Sequence, residues 1–228
     1  MNISPDEIIL FQIGSIAITA NIFFTWMVML FLVLVSALIT RKISISSKIS
    51  MWQNFLETLI SYIQEQIRDI TDQKSDPYLP FIGSLFIFVS VSNFLSFVPG
   101  YHPPTGSLYT TSALAICVFF AVPVYGIQKL GLSEYLRNYI KPSVIMLPFN
   151  IISEISRTLA LSVRLFGNVM SGTMIIGILL SVAPFFLPAV MNILELLIGQ
   201  IQAYIIAVLS TVYIASGTRS KKITQEES

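Results

Sequence analysis

Long apolar runs, separated by short polar or proline-rich segments, dominate the pattern of hydrophobic and polar positions along the chain. A helix needs about 20 apolar residues to cross the hydrocarbon of a bilayer. The run from Ile16 to Thr40 contains 25 residues and no charge, and therefore predicts a first membrane span. Four further runs predict four more spans. The five predicted spans cover residues 16–40, 79–98, 108–128, 144–182 and 187–216.

The segment between the first two spans has a different pattern. Over residues 49–73, apolar residues recur at i, i+3, i+4 and i+7 intervals, and charged residues fall between them. This spacing predicts an amphipathic helix whose charges are too dense for a membrane crossing. We expect the helix to lie along the membrane interface or to pack sideways on other helices. Its apolar positions are Trp52, Phe55, Leu56, Leu59, Ile60, Ile63, Ile67 and Ile70.

Composition supports the membrane assignment. Of the 228 residues, 54% are hydrophobic and 11% are charged, whereas a soluble domain has about 25% charged residues. The sequence therefore predicts an all-α membrane protein that forms a single membrane domain over residues 1–228. Cysteine and histidine occur once each and offer no metal-ligand spacing, and no phosphate-binding P-loop is present. We expect no metal, no other cofactor and no bound nucleotide.

Basic residues fall on one side of the predicted spans. Eleven Lys and Arg residues follow spans one, three and five, and the opposite loops hold none. Because cytoplasmic loops carry the excess of Lys and Arg, the sequence predicts an N-terminus outside and a C-terminus in the cytoplasm. The two remaining basic residues, Arg157 and Arg164, lie in the fourth span.

The fourth span is too long for a simple crossing. Its roughly 38 residues would reach about 57 Å at 1.5 Å per residue, nearly twice the hydrocarbon thickness of about 30 Å. We therefore expect this helix to tilt strongly. The fifth span is expected to lie beside it as an antiparallel and equally tilted partner.

Arg164 is the residue that points most directly to function. An arginine near the centre of a bilayer costs about 3 to more than 10 kcal/mol, and ionisable residues there usually mark ion pathways. No acidic residue lies at i±3 or i±4 to neutralise it. Glu195 is predicted to lie toward the outside and Glu154 toward the cytoplasm. This order of charges suggests two short aqueous paths separated by a fixed positive charge.

Structural roles stay open for several of the polar residues. Glu154 could form an ion pair with Arg157 at the i+3 position of the same helix. Asn168 and Gln202 could simply join two helices by a hydrogen bond. For Asn93 in the second span, a structural role and a functional role are equally open.

The segment Arg164-Leu165-Phe166-Gly167-Asn168, preceded by Pro148-Phe149-Asn150 and followed by Gln202-Ala203-Tyr204, resembles subunit a of rotary F-type ATP synthases. The resemblance implies a non-catalytic subunit of the inner (plasma) membrane with two offset half-channels. Protons would pass through them to and from a carboxylate on a rotating ring of c subunits, which couples proton flow to ATP synthesis or hydrolysis. The implied partners are the c ring, peripheral-stalk b subunits, other membrane-sector subunits and lipid, and no nucleic acid.

The resemblance also assigns site residues. Arg164 matches the arginine that faces the ring, Asn168 and Gln202 match polar groups near it, and Glu195 matches an outer half-channel position. Thr173 stands where some relatives have a carboxylate, so one titratable group remains where those relatives have two.

Other interpretations stay open at this stage. Glu154 has only an approximate counterpart in the family, on the cytoplasmic side. The segments Ser4-Pro5-Asp6 and Pro103-Pro104-Thr105-Gly106-Ser107-Leu108 are similar to an alternative synthase set of some bacteria and archaea, whose members are often inferred to move sodium. A stand-alone cation channel or secondary transporter that uses Glu154 and Glu195 is a second alternative, although no internal repeat typical of transporters is evident. A purely structural scaffold is a third.

Overall fold

Helices dominate the computed structural model, which describes residues 9–13, 16–41, 51–71, 77–98, 100–140, 145–183 and 186–218. Within these ranges the helices are α1 (Ala20–Thr40), α2 (Met51–Thr71), α3 (Leu79–Leu95), α4 (Leu108–Leu130), α5 (Leu132–Ile140), α6 (Met146–Val182) and α7 (Phe186–Thr218). A short 3-10 helix at Pro104–Gly106 lies between α3 and α4. Residues 100–107, which contain it, are called the α3–α4 turn.

A β-hairpin precedes α1. Strand β1 (Ile9–Ile13) pairs antiparallel with β2 (Ile16–Thr19), so the prediction of a purely helical chain was incomplete. The prediction that the first helix begins at Ile16 was wrong by four residues, because α1 begins at Ala20. The β-branched residues of β2 favour an extended strand over a helix.

Four of the helices in the described ranges are long and apolar enough to cross a membrane, namely α1, α4, α6 and α7. The apolar helix α3 has 17 residues, or about 26 Å at 1.5 Å per residue, and ends three residues before its predicted boundary. The other three predicted spans agree with α4, α6 and α7 to within two residues, although residue 144 lies outside the described ranges. The chain is therefore a multi-pass helical membrane protein.

The amphipathic pattern between the first two spans forms α2. Ile63 and Ile67 are buried in a cluster with Ile82 of α3 and with Ala207 and Ile214 of α7. Part of its apolar face thus packs sideways on other helices, which is one of the two predicted arrangements, whereas Ile60 is exposed. The predicted ends at residues 49–50 and 72–73 lie outside the described ranges.

Helix α5 was not predicted, although its sequence carries a signal. Leu132, Tyr135 and Leu136 stand at i, i+3 and i+4 positions, and Tyr135 is the buried one of the three. Gly131, with φ of 81°, ends α4 in a conformation that glycine adopts at little cost. The ring of Tyr135 packs against α4 at Gly126. A Cβ at position 126 would lie 2.5 Å from this ring, so the contact requires glycine there.

The long helices α6 and α7 contact α3 and α4 near their own midpoints. The hydroxyl of Ser112, in the first turns of α4, lies 3.0 Å from the hydroxyl of Ser162 on α6. The side-chain amide of Asn93, near the end of α3, donates to the carbonyl of Gly199 on α7. About half of each long helix therefore extends beyond its contact with the end of α3 or the start of α4.

The α3–α4 turn is packed into the protein. Thr105 is fully buried, and Ser107 caps α4 by accepting a hydrogen bond from the backbone of Tyr109. Tyr101 packs edge-on against Phe24 of α1, with 5.0 Å between the ring centroids. Burial raises the pKa of the Tyr101 phenol well above its usual range.

Candidate ion-translocation site

A cavity of about 90 Å³ lies between α3, α6, α7 and the α3–α4 turn. Three of the predicted site residues, Asn168, Glu195 and Gln202, line it together. Its volume and polar groups suit it to hold water molecules. Glu195 is the one titratable side chain among the described residues that line it.

The carboxylate of Glu195 packs against the backbone of α6. A Cβ placed on Gly172 would lie 2.7 Å from Cδ and from Oε1 of Glu195. A Cβ atom does not approach a non-bonded heavy atom this closely. Glycine at position 172 therefore provides the space that the carboxylate occupies.

Asn168 and Gln202 connect the two long helices. Nδ2 of Asn168 donates a hydrogen bond to Oε1 of Gln202 over 3.0 Å, which confirms the expectation that these residues could join helices. Gln202 is buried, and its Nε2 has no hydrogen-bond partner within the part of the chain that the structure describes. A buried, unsatisfied donor is unfavourable, and a water molecule in the adjoining cavity would satisfy it.

Arg164 lies on the exposed side of α6, one helical turn before Asn168. It makes no hydrogen bond or ion pair with any residue of the described ranges, and it is not among the residues that line the cavity. Its neighbours Leu161 and Leu165 are buried, so the guanidinium stands at the edge of the packed face. Among the described residues, the charge is therefore not neutralised by an acidic side chain.

Arg157 and Glu154 lie further toward the start of α6. The guanidinium of Arg157 lies over the ring of Tyr213 on α7, 5.4 Å from its centroid, which is a cation–π contact. Glu154 is half-buried, and its carbonyl accepts a hydrogen bond from the hydroxyl of Thr158. Glu154 lies fourteen positions before Asn168, or about 21 Å along α6, so the structure does not bring Glu154 to the cavity.

Thr173 follows Gly172 but does not line the cavity. Its hydroxyl donates to the carbonyls of Val169 and Met170, at 3.2 and 3.0 Å. Both acceptors belong to its own helix, so the hydroxyl is engaged locally.

Two residues that line the cavity, Asn93 and Gly199, were not among the predicted site residues. They contact each other across α3 and α7. The available signal was the amide of Asn93, a polar group within an apolar predicted span. Nothing in the pattern of α7 indicated which of its residues Asn93 would contact.

The fold and the site together define a class of protein. Two long membrane helices, together with α3, border a cavity that contains one carboxylate, and an arginine without a partner in the described chain stands nearby on an exposed face. These are features of a helical membrane subunit that moves ions together with another component.

Comparison with known proteins identifies the family. The family model described as ATP synthase A chain matches residues 22–215. ATP synthase subunit a 2 of Acaryochloris marina is 58% identical over 96% of this chain and 94% of that protein. ATP synthase subunit a of Albidiferax ferrireducens is 56% identical over 97% of this chain and 96% of its own length. ATP synthase subunit a 1 of Prosthecochloris aestuarii is 52% identical over 97% of this chain and 99% of that protein. The chain belongs to the ATP synthase A chain family.

Proposed function

We propose that this chain is the stator subunit of an F-type ATP synthase that carries protons to and from a rotating ring of c subunits. The chain is not itself catalytic; it couples ion flow to ATP synthesis or hydrolysis elsewhere in the complex. The main supporting observation is the exposed guanidinium of Arg164, which has no partner in the described chain and lies one turn from a residue of the Glu195 cavity.

The proposed membrane arrangement has five spans, α1, α3, α4, α6 and α7, with the N-terminus outside and the C-terminus in the cytoplasm. The one-sided distribution of Lys and Arg supports this orientation. It places the α3–α4 turn on the outer side of the inner membrane of the cell. The cavity adjoins this turn, and we therefore assign it to the outer half-channel.

We also propose that α6 and α7 are strongly tilted relative to the membrane normal. If the axis of α6 ran parallel to that of α4, the twenty residues after Ser162 would extend about 30 Å past Ser112 and so about 24 Å past the start of α4. Exposed apolar residues such as Ile175, Ile178 and Leu180 would then stand in water. Tilt keeps these side chains in the hydrocarbon, and it spreads the exposed face of α6 along the membrane plane, where a ring can pass it.

In the outer half-channel, Glu195 exchanges protons with the aqueous cavity. Asn168 and Gln202 form the inner wall, and protons pass beside them toward the ring carboxylate. Thr173 contributes no titratable group, so this path relies on Glu195 alone. On the cytoplasmic side, Glu154 lies ten residues from Arg164, or about 15 Å along α6, and belongs to the second half-channel.

Arg164 separates the two half-channels. Its permanent charge favours the ionised form of a ring carboxylate that comes close to it, which drives the release of the carried proton into the exit path. The same charge repels a cation that would otherwise cross directly from one path to the other. The mobile carboxylate must come from the ring, and the peripheral-stalk b subunits would hold this chain still while the ring turns.

Purification tests this function against that of a stand-alone channel. The tagged chain is purified from its native membrane in mild detergent, and the isolated chain is also reconstituted in liposomes. The stator function predicts co-purification with a small two-helix protein that carries a membrane carboxylate, and no ion flux through the isolated chain. Flux through the isolated chain at rates typical of channels would contradict it.

A further inference from the structure

We infer that Asn93 is a positioning residue of the outer half-channel: it ties the middle of α7 to the α3–α4 turn and so sets the position of Glu195. The inference rests on the proposed function of the cavity, and it assigns Asn93 no direct part in proton transfer.

Both polar atoms of the Asn93 side chain form hydrogen bonds. Nδ2 donates to the carbonyl of Gly199 on α7 at 2.9 Å, and Oδ1 accepts from the hydroxyl of Thr105 in the α3–α4 turn at 2.9 Å. Asn93 is 4% exposed and Thr105 is fully buried. One amide thus connects three separate parts of the chain away from bulk solvent, where an unpaired polar group is unfavourable.

The contact with α7 depends on glycine. A Cβ at Gly199 would lie 2.9 Å from Cβ of Asn93 and 3.1 Å from its Nδ2. Any larger residue at position 199 would push the amide away from the carbonyl that it binds. The sequence therefore brings an asparagine and a glycine together to let the two helices approach closely.

The position of this contact on α7 gives it a functional consequence. Glu195, Gly199 and Gln202 are spaced by four and three residues, so they lie on one face of the helix. Gly199 stands between the proton-exchanging carboxylate and the buried amide that binds α6. Fixing the backbone at Gly199 therefore fixes both side chains relative to the cavity.

The other groups around Glu195 are neutral. The described residues that line the cavity from α3, α6 and the α3–α4 turn carry no charge and no titratable group. A displacement of α7 would change the surroundings of Glu195 without bringing another ionisable group into the cavity. The pH dependence of the outer path is therefore a direct readout of the position of Glu195.

A second contact between the same two helices provides a matched control. Nε2 of Gln200 donates to the carbonyl of Ser90 at 3.0 Å, and the hydroxyl of Ser90 donates to Oε1 of Gln200. Neither residue lines the cavity. Loss of this contact weakens the attachment of α3 to α7 but leaves the Asn93 contacts in place.

The experiment uses membrane vesicles that contain the assembled membrane sector of the ATP synthase. Proton conduction through the membrane sector is measured with a trapped pH dye after the catalytic sector is removed, while the pH on the outer side is varied. For Asn93→Ala we expect conduction to fall about tenfold and the midpoint of its outer pH profile to move. For Ser90→Ala we expect an unchanged midpoint. The amount of this chain per c ring is measured for each variant.

Two further variants keep the test decisive. The double variant Asn93→Gly with Gly199→Ala restores space between the helices but lacks the amide, and we expect its midpoint to stay displaced. Thr105→Val removes one hydroxyl at nearly constant volume and is expected to move the midpoint in the same direction, even if Asn93→Ala assembles poorly.

Three results would overturn the inference: the same midpoint for Asn93→Ala and Ser90→Ala, recovery of the wild-type midpoint in the double variant, or an unchanged midpoint in Thr105→Val. Failure of the proposed function is distinguishable, because conduction would then be insensitive to Glu195→Gln as well.

Discussion

The side-chain amide of Asn168 donates to Oε1 of Gln202 over 3.0 Å and joins α6 to α7 one turn from Arg164. This hydrogen bond is the only partner of the Gln202 side chain within the described ranges. The polar wall nearest to the arginine therefore depends on a pair of side chains from two helices.

Replacement of Asn168 by alanine should impair ion transfer. The buried amide of Gln202 would then lack any described partner, at a cost of about 1–3 kcal/mol. We expect ATP-driven proton pumping in membrane vesicles to fall by about tenfold, since 1.4 kcal/mol corresponds to a factor of ten. Ser181→Ala is the control, because the Ser181 hydroxyl bonds only to a carbonyl of its own helix. Equal pumping by the two variants would argue against a role for this hydrogen bond.

A methyl group at position 172 should displace Glu195. The Cβ of Gly172→Ala would lie 2.7 Å from the carboxylate, so the side chain must move out of its position. We expect a several-fold loss of ATP-driven proton pumping with normal assembly of the complex. Gly177→Ala is a matched control on the same helix, because nothing lies within 4 Å of a Cβ there and alanine favours a helix by up to about 1 kcal/mol. Similar losses in both variants would point to a general effect on α6.

Glu195 should account for the pH dependence of the outer path. In Glu195→Gln the cavity has no titratable side chain among its described residues. We therefore expect slow proton conduction, and we expect its dependence on outer pH to lack the step that titration of a carboxylate produces. In Thr173→Val the carboxylate remains, and the lost hydroxyl was engaged with its own helix. We therefore expect the wild-type pH profile. The measurement is conduction through the membrane sector over a range of outer pH, and a profile altered by Thr173→Val but not by Glu195→Gln would reverse these assignments.

Periodicity and charge predicted most of the fold. The repeated apolar positions of α2 identified Ile63 and Ile67, which the structure buries, and the uncharged runs identified α4, α6 and α7 closely. The N-terminal hairpin was missed because a run such as Ile16–Thr19 satisfies a hydropathy window and a strand propensity equally well. Helix α5 was missed because one short amphipathic segment gives a weak signal.

The walls of the cavity were less predictable. Asn168 and Gln202 were assigned from the family resemblance, and Glu195 from the order of charges as well as the resemblance; the structure brings the three together. The pairing of Asn93 with Gly199 spans 106 positions in the chain, and periodicity carries no information about which residues of distant helices meet. The need for glycine at position 172 likewise follows from the position of Glu195, which is a property of tertiary packing.

The central claim is that Arg164 meets a ring carboxylate between two half-channels. The most direct test is ATP synthesis by the Arg164→Ala complex in vesicles under an imposed ion gradient, after its assembly has been verified by the ratio of this chain to the c ring. Arg157→Ala is the matched variant, because Arg157 contacts Tyr213 within the chain. We predict that Arg164→Ala abolishes ion-driven ATP synthesis while ATP hydrolysis by the catalytic sector persists, and that Arg157→Ala retains measurable synthesis. Full coupled synthesis by Arg164→Ala would contradict the mechanism.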